Sequence, residues 1–316
     1  KTEENIICSA ISRVLSATKE WNTILECAHN PQMQIIISNT TEQGIHLEHD
    51  DIRKHPPVSF PGKLLAFLYE RYKAFDGSEQ SGMVIIPTEL IFNNAKKLEA
   101  IVLELAHLNA LDEKFIEWLE HSNHFCNSLV DRIVPGNPDI STKNEIEKLI
   151  RSQDHLITVT ETYKLWAIEC SEKVKGIISF AQSDEGVVLT DNLDMYRELK
   201  LRLLNGTHSL ICGAAMLYGK HTVKEAMDDQ LLAAFIKELV LNELVKSLPD
   251  NIDEKVAVDF ASNVMERFSN PFIHHHWLNI ATNATQKMSV RVIPMFIRYV
   301  EKFNGVPDYL TTCFAA

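Results

Sequence analysis

Apolar positions in the first third of the chain follow two different periods. Residues 9–28 carry apolar side chains three or four positions apart, which predicts an amphipathic helix. The run 34–37 is nearly all isoleucine and leads into polar residues, as in a strand that is buried on both faces. Residues 63–75 predict a second helix, and the apolar run 82–87 predicts a second strand. Strand, helix and strand at this spacing predict a parallel α/β unit.

From about residue 95 the period becomes almost purely helical. Residues 96–108 and 112–133 predict amphipathic helices, and the Pro-Gly-Asn-Pro run at 135–138 interrupts the pattern. Six later segments have helical spacing: 143–152, 159–172, 194–218, 222–247, 253–268 and 285–303. The sequence therefore predicts an α/β domain at residues 1–135 and a mainly helical, all-α domain at residues 136–316.

The α/β part has too few strands for a complete nucleotide-binding domain. A doubly wound domain of that kind needs about five or six parallel strands, with a glycine-rich turn after the first. Only two convincing strands precede residue 135, and neither G-x-G-x-x-G nor G-x-x-x-x-G-K-[ST] occurs in the sequence. We therefore expect residues 1–135 to be the later part of a Rossmann-like domain, with its first strand and glycine-rich turn absent.

Charge and composition exclude several classes of protein. The 316 residues include 43 acidic and 31 basic ones, so the chain lacks the basic surplus expected of a nucleic-acid-binding protein. No apolar run approaches the roughly 18–20 residues that a membrane span needs. Six scattered cysteines without a C-x-x-C pair are typical of reduced thiols, and residues 1–5 show no signal-peptide pattern. A cytoplasmic protein is expected.

The candidate chemistry lies in the predicted helix at 194–218. At about 100° per residue, Lys200, Asn205 and His208 fall on one arc together with Leu201 and Leu204. A buried polar group costs about 1–3 kcal/mol unless it has a partner. Two interpretations of these residues are open. They are structural, with a lysine on the surface and a hydrogen-bonded histidine in the core, or they form a functional site in which burial lowers the pKa of the lysine so that it can exchange a proton.

The spacing of these three residues matches a known signature. Lys200-x4-Asn205-x2-His208 resembles the Lys-x4-Asn-x2-His motif of the polyol-specific long-chain dehydrogenases, which include mannitol dehydrogenases, mannitol-phosphate dehydrogenases and hexuronate reductases. The similarity covers nearly the whole chain and is greatest to the hexuronate branch. It is carried by the segments 38–45, 59–64, 85–91, 125–134 and 267–271.

This resemblance implies metal-independent hydride transfer with NAD as the cofactor. It places the general acid/base on Lys200, and it implies that His208 orients the substrate hydroxyl and the lysine. Two asparagines of the family polarise the reacting carbonyl, as an oxyanion hole does. One is Asn205, and ungapped counting puts the other at Asn94, with Asn93 as the alternative because the sequence there reads Asn-Asn-Ala.

The resemblance also implies binding residues. His275 matches a histidine of the hexuronate branch, and Lys287 matches a substrate-side lysine that could neutralise a carboxylate. An ordinary solvated lysine is the alternative for Lys287. The histidine run at 274–276 lacks the spacing of a metal site, so no metal is expected.

Cofactor contacts are expected where the first strand ends. Asn39 and Thr40 follow that strand and would lie at the carboxyl edge of the sheet, where ligands bind in open α/β folds. Asp131 is the third candidate for the cofactor. Clusters of Ser, Thr and Asn after a strand also form ordinary turns, so this alternative stays open.

The implied activity is the interconversion of tagaturonate and altronate, with a sugar acid or polyol as the small-molecule partner. The alternatives within the family are mannitol 2-dehydrogenase and fructuronate reductase. A helical interaction module without catalysis is the alternative from another class. The sequence does not distinguish NAD from NADP, and we expect a monomer or a weak homo-oligomer.

Overall fold

Two compact units make up the protein, as seen in a computed structural model that describes residues 6–41 and 43–316. The prediction that no signal peptide is present concerns residues 1–5, which lie outside the described residues. The first unit comprises Lys1–Leu129 and Ala167–Asp191. The second comprises Val130–Trp166 and Asn192–Ala316. The predicted single boundary at 135/136 differs from this division, because residues 167–191 return to the first unit.

A parallel three-stranded sheet organises the first unit. Its strands are β1 (Ile35–Ser38), β2 (Val84–Pro87) and β3 (His124–Phe125), in the order β1-β2-β3. Both pairings are parallel. All four residues of β2 are buried, as expected for the central strand of a parallel sheet. The two strands predicted from the apolar runs are thereby confirmed, but Ile37 is exposed, so β1 is not buried on both faces as expected.

Four helices accompany this sheet: α1 (Trp21–Cys27), α2 (Phe60–Ala74), α3 (Asn94–Leu108) and α4 (Glu113–Ser122). Ser59 precedes α2 and its side chain accepts a hydrogen bond from the Gly62 amide, which is a typical N-cap. The apolar faces of the helices form one core. Its members include Leu65, Leu68, Leu98, Leu105 and Phe115.

Two helix predictions in this unit are partly wrong. Residues 6–16 contain no regular element, and the helix expected at 9–28 is reduced to α1. The helix expected at 112–133 ends at Ser122, because Asn123 takes an extended conformation. The Asn123 side chain donates to the carbonyl groups of the last helical turn and accepts from the Met83 amide. It thus ends α4 and starts the path into β3.

A second three-stranded sheet has the order β4-β5-β6. Its strands are β4 (Ser128–Asp131), β5 (Leu165–Glu169) and β6 (Val187–Thr190). The helix predicted at 159–172 is therefore wrong, since β5 occupies that segment. Apolar residues at irregular short spacing fit either structure, and here sheet pairing decides. The described residues hold six strands in all, where the sequence indicated two. The helices α5 (Ile140–Ile150) and α6 (Glu172–Lys175) complete this part of the chain.

The rest of the second unit is helical, as predicted. The first long helix is continuous from residue 194 to residue 217, but residues Leu199–Gly206 have π-helical hydrogen bonding, so the regular period assumed from the sequence does not hold there. Buried residues such as Leu203, Leu210 and Val264 form a core of their own. None of the described helices is both long enough and apolar enough to cross a membrane. In chain order the helical segments are α7 (Asp194–Glu198), the π-helical Leu199–Gly206, α8 (Thr207–Leu217), α9 (Val223–Asp228), α10 (Gln230–Glu238), the π-helical Leu239–Leu244, α11 (Glu254–Phe268), α12 (Trp277–Ile280), α13 (Ala284–Arg291), α14 (Ile293–Phe303) and α15 (Asp308–Ala315).

Candidate functional site

Lys200 is a buried lysine at the start of the π-helical segment. Its residue exposure is 8%, and its Nζ atom donates a hydrogen bond of 2.6 Å to the carbonyl oxygen of Val130 in β4. Lysine seldom lies this deep without a partner. The prediction of a polar group embedded in an apolar face is therefore confirmed for this residue.

The electrostatics around Lys200 favour the loss of its proton. Burial lowers the pKa of the Lys200 ammonium from its usual value, and the carboxylate of Asp131 opposes this effect. The guanidinium groups of Arg267 and Arg291 lower the pKa further. A lysine in this condition can exchange a proton closer to neutral pH than a solvated lysine can.

His208 lies eight positions after Lys200 on the same continuous helix and is also buried. Its imidazole stacks on the ring of Phe268 at 4.2 Å and meets the ring of His275 edge to face at 5.1 Å. Its Nε2 atom has no hydrogen-bond partner among the described residues. Burial holds the pKa of His208 well below its usual value, and His275 and Arg267 add to this. The imidazole is therefore neutral at physiological pH, and its Nε2 atom is buried.

Asn205 lies between these two residues and is half-buried. Within residues 6–41 and 43–316, its side-chain amide makes no hydrogen bond, whereas its backbone carbonyl accepts from the hydroxyl of Ser209 at 2.9 Å. An amide with two unengaged N–H groups can donate to an oxygen that gains negative charge. The structure thus brings Lys200, Asn205 and His208 together on one continuous helix.

His275 and Lys287 lie in the same unit as this helix. The Nδ1 atom of His275 is buried and has no partner in the described part of the chain. The Nζ atom of Lys287 donates to the carbonyl oxygen of Ile280 at 2.9 Å. Burial lowers the pKa of both groups, and Lys287 in turn contributes to the low pKa of His208. These contacts place both predicted binding residues near His208.

Asp131, Glu161 and Arg267 form an ion cluster near Lys200. The sequence did not predict this cluster. The Arg267 guanidinium donates to both carboxylates, with the shortest contacts at 2.8 Å to each. All three side chains are at most 7% exposed. The only signal was Arg267 itself, which follows Val264 at helical spacing on the apolar face of α11. Asp131, predicted as a cofactor residue, here pairs with Arg267.

Asn94 lies in the first unit, at the start of α3, and its side chain is occupied. The Nδ2 atom donates to three backbone carbonyls, those of Pro87, Glu89 and Ser128, and the Oδ1 atom accepts from the Ala95 and Ser128 amides. Its neighbour Asn93, the alternative candidate, has a left-handed backbone with φ of 50°. Asn94 thus joins β2, α3 and β4 in this structure.

The predicted cofactor residues Asn39 and Thr40 follow the carboxyl end of β1. Asn39 is exposed, whereas the amide and hydroxyl of Thr40 both donate to the buried carboxylate of Glu89, at 2.8 and 2.7 Å. Glu89 also accepts from the hydroxyl of Ser38 at 2.9 Å. Sequence reasoning missed Glu89, whose position directly after the second strand was the available signal. Among the described residues at this edge, Asn39 is exposed and lies directly after β1.

The histidine run at 274–276 gathers no further ligands. In the part of the chain that the structure describes, no group of three or more His, Cys, Asp or Glu side chains is arranged to hold a metal ion.

Comparison with known proteins matches both parts of the chain. The family model described as the mannitol dehydrogenase Rossmann domain matches residues 1–181, and that described as the mannitol dehydrogenase C-terminal domain matches residues 192–316. The altronate oxidoreductase of Bacillus subtilis (strain 168) is 40% identical over 99% of this chain, and that of Pectobacterium carotovorum subsp. carotovorum (strain PC1) is 36% identical over 97%. The chain spans 64% and 62% of the lengths of these relatives.

Two solved structures share the fold. The mannitol 2-dehydrogenase of Pseudomonas fluorescens, solved as a ternary complex with NAD and D-mannitol, aligns with 97% of this chain and 63% of its own, at a TM-score of 0.68 and 20% identity. A substrate-free D-sorbitol dehydrogenase aligns with 89% of this chain and 59% of its own, at a TM-score of 0.72 and 20% identity. The predicted Rossmann-like part followed by a mainly helical part is confirmed.

Proposed function

This chain belongs to the mannitol dehydrogenase family, and on that premise we propose that it is an NAD-dependent reductase that interconverts tagaturonate and altronate. The observation that carries the proposal is the buried Lys200, with its lowered pKa, on one helix with the unengaged amide of Asn205 and the neutral imidazole of His208. The names of the relatives, altronate oxidoreductases at 36–40% identity, support the choice of substrate.

The first unit fits a dinucleotide cofactor in one respect. The parallel strands β1 and β2 end at the same edge of the sheet, and Asn39 is exposed there. Asn39 would hold the cofactor, and Thr40 would shape that edge through its bonds to Glu89. A bound NADH supplies the hydride for carbonyl reduction.

The proton in this reaction comes from Lys200. In the direction of reduction, the Nζ atom of Lys200 gives a proton to the oxygen of the former ketone, and in the reverse direction it takes the proton back. The amide of Asn205 donates to that oxygen while negative charge develops on it. The role of Asn94 in polarising the carbonyl stays a prediction, and its Nδ2 group is engaged by backbone carbonyls of its own unit.

A sugar acid needs a cation for its carboxylate, and Lys287 provides one in this unit. In the part of the chain that the structure describes, His208 and His275 each have a buried nitrogen without a hydrogen-bond partner, which suits the hydroxyl groups of a sugar. Fructuronate reductase shares these requirements, whereas mannitol 2-dehydrogenase acts on a polyol that has no carboxylate. A cytoplasmic location and a monomeric or weakly oligomeric state remain predictions.

A substrate panel tests the proposal. The full chain is assayed for NADH and NADPH oxidation with tagaturonate, fructuronate and D-fructose, and kcat/KM is compared. The highest kcat/KM is expected for tagaturonate with NADH. A preference for fructuronate or D-fructose would assign the chain to another branch of the family. Absence of turnover and of nicotinamide binding would instead favour the helical interaction module.

A further inference from the structure

Arg267 joins two carboxylates that come from distant parts of the second unit. Its Nη1 and Nη2 atoms donate to Asp131 at 2.8 and 3.2 Å, and its Nε and Nη2 atoms donate to Glu161 at 3.0 and 2.8 Å. The ring of Tyr163 covers the guanidinium at 4.1 Å. We call Asp131, Glu161 and Arg267 the Arg267 cluster. Bidentate contacts between a guanidinium and a carboxylate fix the relative position of the two groups as well as neutralising charge.

The Arg267 cluster holds the chain that directly follows Val130. Asp131 is bound through its side chain, as described above. The backbone amide of Ile133 donates to the Glu161 carboxylate at 2.6 Å, and the Arg132 side chain donates to the Glu161 carbonyl at 2.9 Å. Three consecutive residues are therefore tied to the cluster. The position of the Val130 carbonyl depends on this anchoring.

The Val130 carbonyl is the only hydrogen-bond acceptor that Lys200 has within the described residues. An ammonium group carries three N–H donors, so one bond to a fixed carbonyl orients the other two. Lys200 lies on the π-helical segment, 70 positions from Val130 in sequence. Its orientation is therefore set by a strand end that the Arg267 cluster anchors.

The charges around Lys200 come from three elements. Asp131 faces it from β4, Arg267 from α11 and Arg291 from α13. Arg202 and Glu198, which lie on the same helical stretch as Lys200, form an ion pair with each other at 3.1 Å. Within the Arg267 cluster, Asp131 favours the charged form of Lys200 and Arg267 disfavours it.

We propose that Arg267 is a positioning residue for Lys200, because through Asp131 and Glu161 it fixes the Val130 carbonyl that orients the Lys200 ammonium for proton transfer. This inference rests on the proposed function for the role of Lys200. Arg267 itself donates to the two carboxylates and takes no part in the transfer.

Two substitutions separate geometry from charge. Arg267→Lys keeps the charge but cannot bind both carboxylates in a two-pronged manner, so kcat for sugar-acid reduction is expected to fall about 10- to 100-fold with KM nearly unchanged. Arg267→Gln also removes a positive charge that lowers the pKa of Lys200, so the alkaline limb of the pH profile for reduction, where Lys200 loses its proton, shifts to higher pH. If Arg267→Gln does not fold, Arg267→Lys alone decides. Glu198→Gln, which breaks the neighbouring Arg202 pair, is the matched control and should leave kcat and the pH profile unchanged.

A second readout needs no turnover. The ¹³Cε resonance of Lys200, assigned with Lys200→Met, is titrated in the wild-type protein and in both variants. We expect a changed resonance position in Arg267→Lys and a titration midpoint at higher pH in Arg267→Gln. A wild-type kcat and a wild-type Lys200 resonance in Arg267→Lys would overturn the inference, as would an equal loss of kcat in Glu198→Gln. If the wild-type protein reduces no sugar acid, the proposed function fails, while the resonance still tests the link between Arg267 and Lys200.

Discussion

The Nζ atom of Lys200 lies 2.6 Å from the carbonyl oxygen of Val130, at the end of strand β4. This bond ties a charged group of the helical region to the backbone of a strand. It leaves two N–H donors of the ammonium for other partners. Since burial lowers the pKa of Lys200, the same contact holds a group that can lose its proton without leaving its place.

Replacing this lysine should remove activity without unfolding the protein. In Lys200→Met, kcat/KM for carbonyl reduction should fall about 10²- to 10⁴-fold, because the proton donor is lost. Thermal stability should be equal or higher, because a methionine of similar length avoids the burial of a charge. Steady-state kinetics and thermal unfolding measure the two effects. The control is Lys255→Met on the exposed face of α11, and full turnover in Lys200→Met would contradict the assigned role.

The two candidate asparagines should respond differently to alanine. Asn94→Ala removes five hydrogen bonds to buried backbone groups, so the free energy of unfolding should fall by about 2–4 kcal/mol. Asn205→Ala removes an amide that makes no hydrogen bond to the other described residues, so stability should change by less than about 1 kcal/mol. Urea unfolding gives both values.

Activity separates these asparagines as well. Asn205→Ala should lower kcat/KM by about 10²- to 10³-fold, as the loss of one oxyanion donor does. Equal stability losses in the two variants would show that Asn205 is a structural residue instead.

Acid should destabilise the protein through His208. Its folded pKa lies well below 6.5, mainly because of burial, so the unfolded chain takes up this proton first as the pH falls. The stability is present above pH 6.5 and is lost below it, at up to about 1.4 kcal/mol per pH unit for one proton. His275, whose pKa is also lowered, acts in the same direction.

Urea unfolding at pH 7.5, 6.5 and 5.5 measures this dependence. His208→Gln should flatten the profile, whereas His274→Gln, at an exposed position, should retain it. A profile in His208→Gln that is as steep as in the wild-type protein would contradict the assignment.

Gly82 should not tolerate a side chain. A Cβ atom at this position would lie 1.8 Å from the carbonyl oxygen of Ser122, so the chain entering β2 would have to move away from the end of α4. Gly82→Ala should lower the free energy of unfolding by about 2–3 kcal/mol. Gly176→Ala is the matched control, since its nearest neighbour would lie 3.8 Å away and alanine there should stabilise by about 0.4–1 kcal/mol. Equal thermal midpoints for the two variants would contradict this.

Helices with a clear apolar stripe and a local cap could be predicted from the sequence. The helices α2 and α11 begin and end close to the expected positions, because their caps and stripes involve residues only a few positions apart. The strands β3, β4 and β5 could not be predicted. They lie in segments whose apolar spacing also fits a helix, and only pairing with distant strands decides between the two structures.

The same distinction applies within the candidate site. The Lys200, Asn205 and His208 motif is local, but the arc computed at a regular period does not explain its burial, because the segment is π-helical and Arg202, expected on the opposite side, is buried too. The partners of these residues are not local. Glu89 binds a loop about 50 positions earlier in the chain, and Arg267 binds Asp131 across 136 positions. The spacing of apolar residues along the chain carries no information about such distant pairs.

The sequence by itself determined the family, through motifs of short, defined spacing, and the α/β-then-helical order, through its apolar periods. That Lys200 is the proton carrier is what the resemblance to the family implies, and it stays a prediction. The tertiary structure alone decided that Lys200 donates to the Val130 carbonyl, that Asp131 pairs with Arg267 and that Asn94 is occupied by backbone groups. Those outcomes depend on which distant groups meet after folding. A buried charge or amide is satisfied by whichever donor or acceptor the packed core brings within about 3 Å of it.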